Sequence, residues 1–339
     1  MKYLLVHEFL NQSDNDPLVD VRSPSEYKAG HIPGSVNIPL LDDEERTVIG
    51  TLYKEKGRQA AIDKGLEIVG PKMSSLAVQA REVAINGNAL VYCWRGGMRS
   101  EKMAWLFELA GLSSKVLQGG YKAYRSQVLD DFLQIDHLIV LEGLTGSGKT
   151  DILQCMREMG EQVVDLEYLA NHRGSAFGSI GLGEQPTTLQ FQNEVHRAFR
   201  LLDFSKRIWV EGESINIGKV NLPETLWSKM KSAQVVEICV QKSARVKRLV
   251  VEYGDKDRSK LVAAIERIGK KLGGFRQKEV LQALEQNNLY RVADLLLEYY
   301  DKSYRKSHNR YLQPPSATVN TDTGDPVINA RKILDAVGK

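Results

Sequence analysis

His137-Leu138-Ile139-Val140-Leu141-Glu142-Gly143-Leu144-Thr145-Gly146-Ser147-Gly148-Lys149-Thr150 decides the architecture of the second half of this chain. Its apolar start reads as a buried strand, and a helix with Ile152, Leu153 and Met156 on one face follows it. Strand, glycine-rich loop and helix form the setting in which Gly143-x4-Gly148-Lys149-Thr150 can bind phosphate. The glycines let backbone N–H groups turn inward around phosphate oxygens. The helix adds its free N–H groups and the positive end of its dipole. Lys149 supplies a point charge, and the Thr150 hydroxyl can ligate Mg²⁺. Gly143, Gly146, Ser147, Gly148, Lys149 and Thr150 are therefore the expected phosphate-binding residues, for a di- or polyphosphate group. The loop does not by itself imply nucleotide hydrolysis.

Further strands read at 162–164, 207–210 and 235–240. Asp165 and Glu167 follow the first, and Glu211 and Glu213 close the second. Each is a candidate for an acidic, metal-facing position beside the loop, or a plain strand-end carboxylate. Strands alternating with helices predict a parallel α/β sheet, and residues 257 to about 300 read as a helical extension.

Working toward the N-terminus, a second strand–loop–helix unit appears. Asn88-Ala89-Leu90-Val91-Tyr92 reads as a buried strand leading into Cys93-Trp94-Arg95-Gly96-Gly97-Met98-Arg99-Ser100, with a helix expected from about Ser100. A thiol at such a junction meets backbone N–H groups and a helix N-terminus, both of which favour thiolate. Gly96 and Gly97 permit a curled backbone, while Arg95 and Arg99 add positive charge. Together they describe an anion cradle beside a nucleophile. Cys155 and Cys239, on an apolar helix face and in a core-like strand, read as inert core thiols. Two α/β domains are expected, at 1–132 and 133–339.

Composition sets the outer limits. Hydrophobic residues make up 42% and charged residues 26% of the 339 residues, as in globular proteins. No apolar run approaches the length of a transmembrane helix, so no membrane partner is expected. The three cysteines are scattered, which argues against a disulfide framework or dedicated metal site and for a reducing cytoplasm. Net charge is +3, yet residues 241–280 alone carry 12 basic and 5 acidic side chains. That excess suggests a polyanionic partner, although a solvated helix face would look the same.

The segment Val19-Asp20-Val21-Arg22-Ser23-Pro24-Ser25-Glu26-Tyr27 through Pro39, together with the Cys93 loop, resembles rhodanese-like domains, which move sulfur or selenium on a cysteine. Arg99 stands six positions after Cys93, a spacing shared with cysteine phosphatases, so a phosphatase joined to a kinase-like domain is one alternative. A non-catalytic, nucleotide-switched tRNA-binding module is another. The whole chain resembles the tRNA 2-selenouridine synthase family through Asp165-Leu166-Glu167-Tyr168-Leu169-Ala170-Asn171-His172-Arg173-Gly174-Ser175, Val210-Glu211-Gly212-Glu213-Ser214, Lys271-Leu272-Gly273-Gly274 and Glu298-Tyr299-Tyr300-Asp301.

That resemblance implies conversion of wobble 2-thiouridine to 2-selenouridine. Geranyl diphosphate would alkylate the sulfur. Selenium from selenophosphate would then pass through a Cys93 perselenide, with Arg95, Gly96, Gly97 and Arg99 holding the incoming anion. The loop at Lys149 would bind the prenyl diphosphate, with Mg²⁺, or else a nucleotide. Implied partners are tRNA with a 2-thiouridine-containing anticodon loop and a selenophosphate-producing enzyme. Expected tRNA-binding residues are His172, Arg173, Arg245, Arg248, Arg267, Lys270, Lys271 and Arg276. Tyr299, Tyr300 and Tyr304 could stack on bases or pack in the core.

Overall fold

The computed structural model describes residues 2–306 and 311–338. The chain divides into two compact units, the first ending at Asp130 and the second beginning at Asp131.

In the first unit the elements run β1 (Lys2–Leu4), α1 (Val6–Gln12), β2 (Leu18–Asp20), α2 (Pro24–Ala29), β3 (Val36–Asn37), α3 (Asp43–Val69), α4 (Met73–Val83), β4 (Asn88–Tyr92), α5 (Met98–Leu109), β5 (Ser113–Leu117) and α6 (Gly120–Asp131). Five parallel strands form one sheet in the order β1-β5-β4-β2-β3. β4 is central, and Ala89 to Tyr92 are at most 1% exposed. Helices cover both faces of such a sheet, so its inner strand is apolar throughout rather than alternating. α2 opens with Ser23 as N-cap and Pro24 at its first position, and the Glu26 carboxylate accepts from the Ser23 N–H.

The second unit begins with β6 (Leu138–Gly143), α7 (Lys149–Glu158), β7 (Gln162–Val164), α8 (Leu166–Leu169), α9 (Thr188–Arg200) and β8 (Ile208–Glu211). It continues through β9 (Asn216–Ile217), β10 (Val220–Asn221), α10 (Glu224–Ser232), β11 (Gln234–Val240), α11 (Lys242–Tyr253), α12 (Arg258–Leu272), α13 (Gly274–Glu285), α14 (Leu289–Lys306), β12 (Ala317–Thr321) and α15 (Pro326–Val337). Its sheet is also five-stranded and parallel, ordered β12-β11-β6-β8-β7. β6 is central and feeds the phosphate loop. α11 to α14 carry their own apolar core, with Ile265, Val280, Leu284 and Leu295 at most 2% exposed. Among the described residues no helix is long and apolar enough to cross a membrane.

Candidate active site

The cysteine loop leaves β4 at Tyr92 and enters α5 at Met98, two residues earlier than expected, so Arg99 lies in the first helical turn. A second turn, between β5 and α6, packs against it. Tyr121 N–H donates to Cys93 O (2.8 Å) and Lys122 N–H to Trp94 O (3.0 Å). The contact is close enough to demand glycine on both sides. At Gly96 (φ +64°) a Cβ would lie 2.4 Å from Leu117 O, and at Gly120 (φ +61°) one would lie 2.3 Å from Cys93 O.

A nucleophile beside an anion cradle is expected to reach solvent, but the residue that carries this one is buried. Cys93 is 3% exposed and packs with Val19, Val21 and Met103. Its Sγ lies 3.2 Å from Ser100 Oγ, which donates to Gly97 O. The thiol therefore sits beneath the loop instead of at an open rim, because the strand end that delivers it belongs to the sheet core. Arg99 also departs from expectation. Its guanidinium pairs with Glu26 (Nη1–Oε2 2.6 Å), which draws it onto α2. Burial would raise the Glu26 carboxyl, but the hydrogen bond and charge of Arg99, with the Ser23 amide and Arg46, hold it below the ordinary carboxylate range. Arg95 is exposed and makes no ion pair among the described residues.

Below the loop lies an ion pair that the sequence reading did not single out. Arg22, 1% exposed, donates to both oxygens of Asp20 (Nε–Oδ1 3.0 Å, Nη2–Oδ2 2.6 Å) and to Gly30 O (2.7 Å). Its guanidinium lies 4.0 Å from the Tyr121 ring centroid. Burial alone would lower the Arg22 pKa, but Asp20 raises it.

In the second unit the residues from Thr145 to Asp151 line a cavity of about 540 Å³. Lys149 Nζ donates to Gly143 O (3.0 Å), and Thr150 Oγ1 donates to Glu167 Oε2 (2.8 Å). Arg248 rests on the loop: a Cβ on Gly148 would be 3.0 Å from its guanidinium. It pairs with Asp151 (2.7 Å), while Arg173 pairs with Glu252 (3.3 Å). All four side chains line the cavity. Burial raises Glu252 against the pull of Arg248 and Arg173, and burial beside Glu252 pushes the Tyr253 phenol up to about 12.

The acidic candidates separate. Glu167, Glu213 and Asp165 line the cavity, and Asp165 also caps α8 by accepting from Tyr168 N–H (2.8 Å). Glu211 is fully buried and accepts from Leu166 N–H (2.9 Å), so it anchors the start of α8 and does not face a metal, contrary to one expectation. Burial first, then the charge and hydrogen bond of Asp165 and the charge of Glu167, raise its pKa well above the ordinary value.

Away from the phosphate loop the cavity turns apolar. Phe177, Leu261, Ile265, Leu284, Val292 and Leu296 line it, drawn from α12, α13, α14 and the segment after α8. The helical periodicity of 257–300 was legible in the sequence, but nothing there showed that these faces enclose a chamber continuous with the phosphate loop. A pocket of this size with one charged end suits a small amphiphile.

The expected tRNA contacts sort by burial. Arg245 is 3% exposed and locked by Asp301 (2.8 Å) and Thr145 O (3.1 Å), so it braces the phosphate loop from behind. His172 is 8% exposed, so it packs in the interior, and burial together with Arg267 lowers its pKa. Arg173 and Arg248 belong to the cavity, and Arg276 is paired with Glu298 (2.5 Å). Arg267, Lys270 and Lys271 are exposed on α12. Tyr299 and Tyr300 pack against the helical core, and Tyr304 OH and Tyr311 OH donate to the buried carboxylate of Glu142. These tyrosines are half-buried. Cys155 and Cys239 are half-buried, and burial with nearby carboxylates raises their thiols.

Residues 5–127 match the model of the rhodanese-like domain, and residues 136–325 that of the tRNA 2-selenouridine synthase AAA domain. A tRNA 2-selenouridine synthase of Shewanella denitrificans is 34% identical over 85% of this chain and 87% of its own length. One from Nitrosomonas europaea is 33% identical over 87% of this chain and 89% of its own. Among solved structures, the N-terminal domain of a putative ATP/GTP binding protein from Clostridium difficile 630 is 39% identical over 38% of this chain and 99% of that chain, at a TM-score of 0.35. With a rhodanese-like unit joined to a phosphate-loop unit and such relatives spanning most of its length, the chain belongs to the tRNA 2-selenouridine synthase family, enzymes of tRNA modification.

Proposed function

We propose that this enzyme replaces sulfur by selenium at the wobble 2-thiouridine of tRNA in two steps, one in each unit. In the first, the phosphate-loop cavity holds geranyl diphosphate. The thiocarbonyl sulfur attacks C1 of the geranyl group, the C1–O bond breaks, and diphosphate leaves with the electron pair. Lys149, the loop amides and Arg248 stabilise the charge on the departing diphosphate. Thr150, Glu167 and Glu213 would hold Mg²⁺, which would offset part of that charge.

The observation that carries this reading is the two-ended cavity, with a cationic phosphate cradle at one end and the apolar walls of Leu261, Ile265, Leu284 and Leu296 at the other. A prenyl diphosphate has that polarity. A nucleotide base would ask for directional hydrogen-bond partners, whereas Phe177, Leu261, Ile265, Leu284, Val292 and Leu296 offer none.

In the second step the selenium of selenophosphate, held at the Cys93 loop, attacks C2 of the base and the C2–S bond breaks. Geranyl thiol departs, a far better leaving group than the original thiocarbonyl sulfur. The Cys93 thiolate then takes the phosphoryl group from selenium, leaving the selenocarbonyl, and water releases phosphate. A Cys93 perselenide would need a two-electron oxidant, because selenophosphate carries selenium at the selenide level. Arg95 is the cation at the loop surface with no partner among the described residues, so it would meet the selenophosphate anion. Arg99, held by Glu26, positions the helix that begins behind the sulfur.

The test uses purified protein, 2-thiouridine-containing tRNA, geranyl diphosphate and selenophosphate, with nucleosides read by mass spectrometry. Omission of selenophosphate should leave S-geranyl-2-thiouridine, and its addition should convert that species to 2-selenouridine. Selenouridine formation without any geranyl donor would refute the two-step scheme.

A further inference from the structure

We infer that the corner where α12 meets α13 is a base-stacking platform for the single-stranded anticodon loop of tRNA, with Phe275 as the ring on which a nucleobase lies. The inference rests on the tRNA-binding reading above and gives it a surface.

Phe275 is 81% exposed in the opening turn of α13. It is not a displaced core residue, because the core faces here are filled by Ile268, Leu272 and Val280, each at most 8% exposed. Cations surround it in the chain. Arg267, Lys270 and Lys271 share one exposed face at the end of α12, and Lys278 follows Phe275 by one turn of α13. Lys270, Lys271 and Lys278 make no ion pair among the described residues. The acids nearby do not neutralise them: Glu266 is exposed and unpaired, and Glu279 is paired with Arg291 (3.5 Å).

The two chemistries have different targets. Unpaired ammonium groups attract any phosphate backbone, in a salt-dependent way. An exposed ring accepts only a base that is free to leave its stack, which a duplex does not offer. Together they select a loop over a stem, and the reacting uridine of this family's substrate lies in such a loop. An anionic lipid surface would also attract lysines, but one lone ring gives it little apolar area to bind.

The test compares the full-length protein with Phe275→Ala and Phe275→Trp by fluorescence anisotropy on two RNAs, an anticodon stem-loop and the same stem closed as a blunt duplex. For Phe275→Ala, stem-loop affinity should fall about 5- to 150-fold. Duplex affinity, thermal melting and geranyl diphosphate uptake should be unchanged, and Phe275→Trp should bind the stem-loop like the parent. If the parent protein prefers the stem-loop and Phe275→Ala binds it equally well, the platform is wrong while the tRNA reading survives. If the parent binds neither RNA, the tRNA reading and the platform fail together. Loss of binding to phosphatidylserine vesicles in Phe275→Ala, with RNA binding intact, would assign the corner to membranes and overturn the proposal.

Discussion

The cysteine loop and the phosphate loop are written in the same local grammar: a buried central strand, a glycine-rich turn, then a helix. They fold into opposite kinds of place. Around Cys93 the turn is pressed against a second turn, the residue is 3% exposed, and Arg99 is tied to Glu26. Around Lys149 the turn borders a cavity of about 540 Å³ with polar and apolar walls. A strand–turn–helix motif thus fixes which backbone amides converge, while segments distant in sequence decide whether anything larger than an atom group fits beside them. One loop holds a single sulfur within a packed interior, whereas the other borders a space large enough for a whole small molecule.

The largest test of that contrast is a pair of variants. Cys93→Ser should lower selenium incorporation at least about a thousandfold and leave S-geranylation intact. Lys149→Ala should lower geranylation about 100- to 1000-fold, and should still selenate tRNA supplied already S-geranylated. Loss of both activities in either variant would mean that the loops do not work separately. Next comes Arg22→Ala, which strands Asp20 in the interior and should destabilise the first unit by about 3–5 kcal/mol in urea titrations, without changing geranyl diphosphate binding.

A smaller effect is expected at Glu26→Gln. The folded Glu26 pKa is depressed, so the native pair contributes stability that is complete above the ordinary value of 4.5 and is lost as pH falls through the folded value. The variant should lose about 1 kcal/mol at neutral pH and flatten the acid limb of the stability curve. Smallest is Glu211→Gln. Here the folded pKa is raised, so stability is full below 4.5 and declines as pH climbs toward the folded value. The neutral isostere should remove that decline and leave geranylation within about twofold, as expected for a group outside the chemistry. A large loss of geranylation would return Glu211 to the metal-facing role.

Much of the framework could be read from the sequence because it is local. The apolar runs at 88–92 and 138–141 give the central strands, Ser23-Pro24-Ser25-Glu26 gives a helix start, and the glycine spacings give both loops. What sequence could not show were pairings that skip along the chain. Glu26 with Arg99, Arg245 with Asp301 and Glu142 with Tyr304 and Tyr311 each join residues far apart in number. Charge alone therefore put Arg245 among the RNA-facing residues, because a basic side chain carries no mark of whether an acid or a core will claim it. The apolar chamber escaped notice for a related reason. Residues such as Leu261 and Ile265 have the periodicity of any core helix, and only the arrangement of three helices and the segment after α8 leaves a space between them.

The backbone contact between Gly96 and Gly120 bears on how such a chain can drift over generations. A methyl group on either residue would collide with main-chain atoms of the opposite turn, which cannot be trimmed by a second substitution. Neither position can be rescued by its neighbour, so the two turns are bound to persist or vanish as one heritable piece. A descendant that lost the chalcogen chemistry would be free to abandon both glycines at once, and their joint loss would serve as a genetic signature of a retired cysteine loop.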